Sequence, residues 1–142
     1  MNIAIVYDSS TGTTENAAKA MANVLEKSGH QCKVQPVFQD DQDELSQADL
    51  ICIGSWVKGI FVIMQHPTEE TMHFIDRLSD LTGKKALVFC TDKLAVGPTL
   101  QRMTQGLEQK GAQVVAQFKY RGPMPGNEFA AFAAALTSVP TL

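Results

Sequence analysis

The chain has 142 residues, 12 basic and 15 acidic side chains, and a formal charge of −3. That length suits one domain over residues 1–142, able to bury a core without disulfides or metal. A charge this small, with no basic stripe, excludes a nucleic-acid footprint. With 44% hydrophobic and 19% charged residues the composition excludes long disorder, and no apolar run approaches the ~20 residues of a membrane-spanning helix.

The elements alternate between strand and helix. Residues 3–7, Ile-Ala-Ile-Val-Tyr, form a short apolar run bounded by turn residues and predict a buried strand. That strand pattern starts near Asn2, which leaves no room for a signal peptide before the fold. Residues 13–28 predict a helix, with Ala17, Met21, Val24 and Leu25 at helical spacing and Gly29 at the C-cap glycine position. Residues 32–37 alternate as a second strand. Residues 40–47 are polar and read as a loop with one helical turn.

Residues 49–54 are the next buried strand. Residues 68–78 predict a helix, with Thr68 as N-cap and Glu69 and Glu70 favourable in its first turn. A strand over 85–90, a helix over 99–110 ending before Gly111, a strand over 113–119 and a closing helix around Phe129, Phe132, Ala133 and Leu136 complete the pattern. Residues 122–126, Gly-Pro-Met-Pro-Gly, are loop. Five strands joined by crossovers predict an α/β fold: a doubly wound, five-stranded parallel sheet with helices on both faces.

In such a sheet ligands sit at the carboxyl ends of the strands, where strand order reverses. The loops at those ends begin at Asp8, Ser55, Thr91 and Lys119. The first, Asp8-Ser9-Ser10-Thr11-Gly12-Thr13-Thr14, sets five hydroxyls around one glycine between a strand and a helix. Backbone N–H groups at a helix N-terminus attract an anion, and hydroxyls add donors without charge. The loop lacks the lysine of GxxxxGK[ST] and the spacing of GxGxxG. A single Ser/Thr N-cap would explain one hydroxyl; five point to a phosphate.

The spacing Ser9-x-Thr11-Gly12-x-Thr14 resembles the flavodoxin phosphate signature [TS]-x-T-G-x-T, and the order of elements along the whole chain is similar to that of the short flavodoxins. The resemblance implies that Ser9, Ser10, Thr11, Gly12, Thr13 and Thr14 cradle the phosphate of FMN. It implies a second flavin segment at Ser55, Trp56, Val57, Lys58 and Gly59, with Trp56, the one tryptophan, against the isoalloxazine ring. The bland alternative is a core tryptophan. The family commonly has glycine directly after this aromatic; here Val57 stands there, with Gly59 two residues on. The family is also acidic around the flavin, and Lys58 departs from that. A cation there raises the potential of the more reduced couple, unless the lysine points away into solvent.

The third flavin segment, similar to G-x-G-D-x-x-[YF], contributes Cys90, Thr91, Asp92, Lys93 and Gly97. No aromatic follows Asp92, so Leu94 or Val96 covers the ring, and backbone donors meet the flavin's polar edge. The Cys90 thiol itself reads as a buried, inert strand-end cysteine. The apolar run Gly59-Ile60-Phe61-Val62-Ile63-Met64 has no counterpart in this scheme. It docks a redox partner, closes over the flavin, forms a dimer contact, or begins a helix packed inward.

Cys32, Cys52 and Cys90 are odd in number and widely spaced, with no CxxC, as in reduced cytoplasmic proteins. His30, His66 and His73 lack metal-ligand spacing. A phosphoacceptor receiver domain needs an aspartate ending the third strand, where Gly54-Ser55 stands; a Cys-x5-Arg phosphatase fails because Val96 occupies the arginine position. The resemblance therefore implies an FMN-binding electron carrier between a reductase and redox partner proteins, a monomer or weak homodimer that binds neither nucleic acid nor membrane. The alternatives are a small FMN-dependent reductase of a quinone-like acceptor and a flavin-free binding protein of the same fold.

Overall fold

The structure is a computed structural model, and it describes residues 1–39, 42–60, 63–91, 97–120 and 126–138. The order of elements is β1 (Asn2–Asp8), α1 (Thr13–Lys27), β2 (Gln31–Pro36), α2 (Gln42–Gln47), β3 (Leu50–Ile60), β4 (Ile63–Pro67), α3 (Glu69–Arg77), β5 (Lys85–Thr91), α4 (Thr99–Gln109), β6 (Gln113–Tyr120) and α5 (Asn127–Ser138).

Five strands form the parallel sheet in the order β2-β1-β3-β5-β6. The central strands are apolar on both faces because helices cover both. Ile3 and Ile5 of β1, with Cys52 of β3 and Phe89 of β5, pack against Ala17, Met21 and Leu25 of α1 and Phe129 of α5. Ala4, Val6, Ile51, Ile53 and Val88 face the other way, against Leu45 of α2, Phe74 and Ile75 of α3, and Met103 and Leu107 of α4. Edge strands β2 and β6 alternate in burial, successive side chains pointing to opposite faces of the sheet, one better covered than the other.

Two features add to the expected pattern. The strand read as ending at Gly54 continues to Ile60, then turns back as β4, which pairs antiparallel with it through Val57–Pro67, Lys58–His66 and Ile60–Ile63. The apolar run from Gly59 is thus no helix start; its described residues belong to a hairpin, with a register shift between Lys58 and Ile60 where Gly59 falls. Residues 61–62 lie outside the described residues. The polar stretch after β2 closes into the short helix α2.

Gly54 is dictated by packing. It pairs with Phe89 in the β3–β5 register, and a Cβ on it would stand 2.1 Å from Phe89 Cζ. The ring fills the space that any other side chain would need.

The chain leaves β1 outward to β2, then crosses back to β3. The strand order therefore reverses between β1 and β3, and in an open sheet of this kind ligands bind outside the carboxyl ends of the strands at such a reversal.

Candidate functional site

Register brings the expected segments level with one another. Asp8 at the end of β1 pairs with Ser55, Ser55 with Cys90, and Trp56 with Thr91. β1 stops opposite Ser55 while β3 runs on, so Trp56 is the first β3 residue beyond the end of β1. It lies within a strand rather than in a loop, at the level where the first loop begins.

The first loop is folded around Gly12. Gly12 is the N-cap of α1, with φ of 93°, a left-handed conformation that glycine adopts without strain. No side chain caps the helix. The hydroxyls have other tasks: Ser9 Oγ accepts the Gly12 N–H at 3.1 Å, and the Thr11 and Thr13 hydroxyls stand 3.4 Å apart. An ordinary Ser/Thr cap is thereby ruled out, and the first-turn N–H groups, which have no partner within a helix, face an anion-ready end. Ser10 and Thr11 are exposed, and Gly12 and Thr13 are partly so.

Thr14 differs from its neighbours. It is buried, and its hydroxyl lies 2.7 Å from that of Thr91 at the end of β5. The last hydroxyl of the motif therefore ties the first loop to the third segment.

One acidic group stands in the first turn of α1. Glu15 accepts from Lys19 at 2.8 Å, and that bond and charge hold its carboxyl below the usual range. Tyr7, on β1, is held above its ordinary value by partial burial and by Glu15. Lys19 thus offsets the charge nearest the anion-ready helix end.

In the second segment Trp56 is half-buried, and the Lys58 ammonium lies 5.7 Å from its ring centre. Alternate residues of a strand share a face, so Lys58 covers the tryptophan two residues before it. The same ammonium is 3.4 Å from the Glu69 carboxylate. The lysine stays with the site instead of projecting away from it. Val57 is held in the ladder opposite Pro67.

Ser55 is fully buried beneath this surface. Its hydroxyl donates to the Trp56 carbonyl at 2.7 Å and accepts the Thr68 N–H at 3.1 Å. Thr68 is the N-cap of α3 as expected, accepting the Thr71 N–H at 3.2 Å; it also donates to the Asp8 carboxylate. Sequence reasoning found the cap but not the link from Thr68 to Asp8, because no local pattern marks a bond across 60 residues.

In the third segment Cys90 is fully buried and Thr91 nearly so, while Gly97 is exposed with φ of 50°. Asp92, Lys93, Leu94 and Val96 lie outside the described residues. Burial pushes the Cys32 thiol up to about 11 and raises Cys52 further, so neither is a nucleophile. Among the described residues no cluster of His, Cys, Asp or Glu fits a metal ion. No helix in them is long and apolar enough to cross a membrane.

These residues fit a flavin mononucleotide. A helix end free of side-chain caps, rimmed by exposed hydroxyls, suits a phosphate, and a half-buried indole on β3, one residue beyond the end of β1, suits a flat aromatic ring.

The family model for flavodoxin matches residues 5–134. No curated protein matches the sequence. Among solved structures, the two-electron reduced flavodoxin of Megasphaera elsdenii is similar at 23% identity, covering 96% of this chain and 99% of that one, with a TM-score of 0.81. Flavodoxin 2 of Bacillus cereus in its oxidised form is similar at 24% identity, covering 96% and 95%, with a TM-score of 0.72. The rubredoxin oxygen:oxidoreductase of Desulfovibrio gigas is similar at 15% identity; 96% of this chain covers 34% of that one, with a TM-score of 0.73.

Proposed function

We propose, for a chain that belongs to the flavodoxin family and binds FMN for electron transfer, that it works as a carrier between a separate reductase and protein redox partners. FMN, when bound, supplies the one- and two-electron chemistry of its ring. The protein binds, orients and tunes it.

In this reading the Ser9–Thr14 loop takes the phosphate. Exposed Ser10 and Thr11 donate hydroxyls, and Gly12 lets the backbone reach the anion. Thr14, held by Thr91, sets the loop's position. Trp56 covers one face of the ring, and Lys58 places a cation beside it. Ser55 acts from below by holding the Trp56 carbonyl, whereas Thr91, Asp92, Lys93 and Gly97 serve the ring's polar edge. A redox partner docks on the β3–β4 hairpin, around residues 60–64, because that hairpin carries Trp56 and Lys58 at its base. Cys32, Cys52 and Cys90 form no disulfide, the state that a reducing compartment maintains; the reading takes the chain as cytoplasmic, monomeric or weakly dimeric.

The observation that carries this reading is the glycine-capped start of α1, with no side-chain hydrogen bond capping it. The test is the visible spectrum of the purified protein with added FMN, followed through stepwise reduction and then with NAD(P)H. A carrier shows a bound-flavin spectrum that bleaches with a chemical or enzymatic reductant and stays oxidised with NAD(P)H alone. Direct bleaching by NAD(P)H would make it a reductase instead. A spectrum identical to free FMN would end the FMN reading.

A further inference from the structure

Thr68 joins three elements at the reversal point of the sheet. It is fully buried, as are Ser55 and Thr71. Its position 60 residues from Asp8 and 13 from Ser55 makes it a link between the ends of β1 and β3.

The protons in this cluster can be assigned. The Thr68 hydroxyl has one hydrogen and donates it to the Asp8 carboxylate, an acceptor when ionised. The Thr71 hydroxyl, 2.7 Å from Thr68 Oγ1, must then be the donor of that pair. The Ser55 hydroxyl has Trp56 O at 2.7 Å and Thr68 Oγ1 at 3.4 Å, so its hydrogen goes to the nearer carbonyl. Its lone pairs receive the Thr68 N–H. Two directed chains result. One runs Thr71 to Thr68 to Asp8, and the other runs Thr68 N–H to Ser55 to the Trp56 carbonyl.

Asp8 opens the nucleotide loop and is only partly buried. A carboxylate there repels a phosphate if it swings toward it. Thr68 holds it instead on the side of α3.

We propose that Thr68 is a positioning residue for the nucleotide. Its hydroxyl fixes Asp8, and with it the first loop, in the arrangement that accepts a phosphate, while its N–H fixes the Trp56 carbonyl through Ser55. The proposal rests on the FMN reading and adds to it a residue outside the phosphate motif.

The test is calorimetric titration of the flavin-free protein with FMN and with riboflavin, which lacks the phosphate. The wild type must bind FMN; if it does not, the FMN reading itself fails. Thr68→Val keeps the shape and the N–H but loses the hydroxyl. It should weaken FMN about tenfold, the scale of a lost bond to a charged group, and riboflavin less than about twofold. Thr68→Ser should restore FMN binding. Unchanged FMN affinity in Thr68→Val, or equal loss of both ligands, overturns the proposal, because a purely structural role would affect both alike.

If Thr68→Val fails to fold through loss of the α3 cap, Asp8→Ala decides. Charge removal alone would tighten FMN. Loss of the anchor weakens it, with riboflavin little changed. Tighter binding by Asp8→Ala overturns the proposal.

Discussion

The hydroxyls of Thr14 and Thr91, 77 residues apart in sequence, meet at 2.7 Å in a buried setting where each is the other's partner. The start of α1 and the end of β5 are thereby joined at the end of the Ser9–Thr14 loop. Losing one partner leaves a buried hydroxyl unsatisfied, whereas replacing both by groups of the same shape removes the demand. Thr14→Val and Thr91→Val should each cost about 1–2 kcal/mol in urea unfolding of the flavin-free protein. The double variant should cost clearly less than the sum. Strict additivity would show that the pair does not interact.

Gly54 and Phe89 make a second pair with a sharp expectation. A methyl at position 54 would overlap the ring at 2.1 Å. Gly54→Ala should therefore destabilise the fold by about 3 kcal/mol or more, at the upper end of overpacking. Gly54→Ala with Phe89→Leu should recover part of that loss. Thermal unfolding of the three variants checks it.

Much of this fold was legible. Apolar runs such as 3–7 and 49–54 marked central strands because helices cover both faces. Gly29 and Gly111 stand past α1 and α4 with φ of 94° and 96°, as helix-ending glycines do. The Ser9–Thr14 motif stood out because its strand, loop and helix are contiguous. What escaped has a common cause. The run 60–64 holds no Gly, Pro, Asn, Asp or Ser, so no local signal separated hairpin from helix. The hydroxyls read as phosphate ligands proved to divide their work: Ser9 braces Gly12, and Thr14 braces Thr91. Side-chain bonds across 60 or 77 residues leave no periodicity to read.

Lys58 gives a redox expectation. Its ammonium is held between the Trp56 ring and Glu69. A cation beside the ring stabilises added electrons, and a tenfold stabilisation is about 59 mV for one electron. Lys58→Glu should lower the second one-electron potential of bound FMN by tens of millivolts, less than full strength because both side chains are partly solvated. Glu69→Gln should raise it. A potential unmoved in both variants would remove Lys58 from the tuning of the flavin.

His30 makes stability depend on pH. Burial holds its imidazole below the ordinary value of 6.5, and the Met1 ammonium, 3.2 Å from Nδ1, adds to that. The folded state therefore prefers the neutral ring, and the unfolded state binds the extra proton. The contribution is complete above 6.5 and is lost as pH falls below it. Urea unfolding of the flavin-free protein should show stability falling from pH 7.5 to 5.5, with a shallower slope in His30→Gln. Equal slopes would assign the effect to other groups.

Calorimetric titration of flavin-free wild type and Gly12→Ala with FMN goes most directly to the central claim, that the glycine-capped start of α1 receives the phosphate. The left-handed φ at position 12 costs a non-glycine residue about 1–2 kcal/mol. The account predicts tight binding by the wild type and about tenfold or greater weakening in Gly12→Ala, with riboflavin affinity changed much less. Equal affinity of the two proteins for FMN would contradict it.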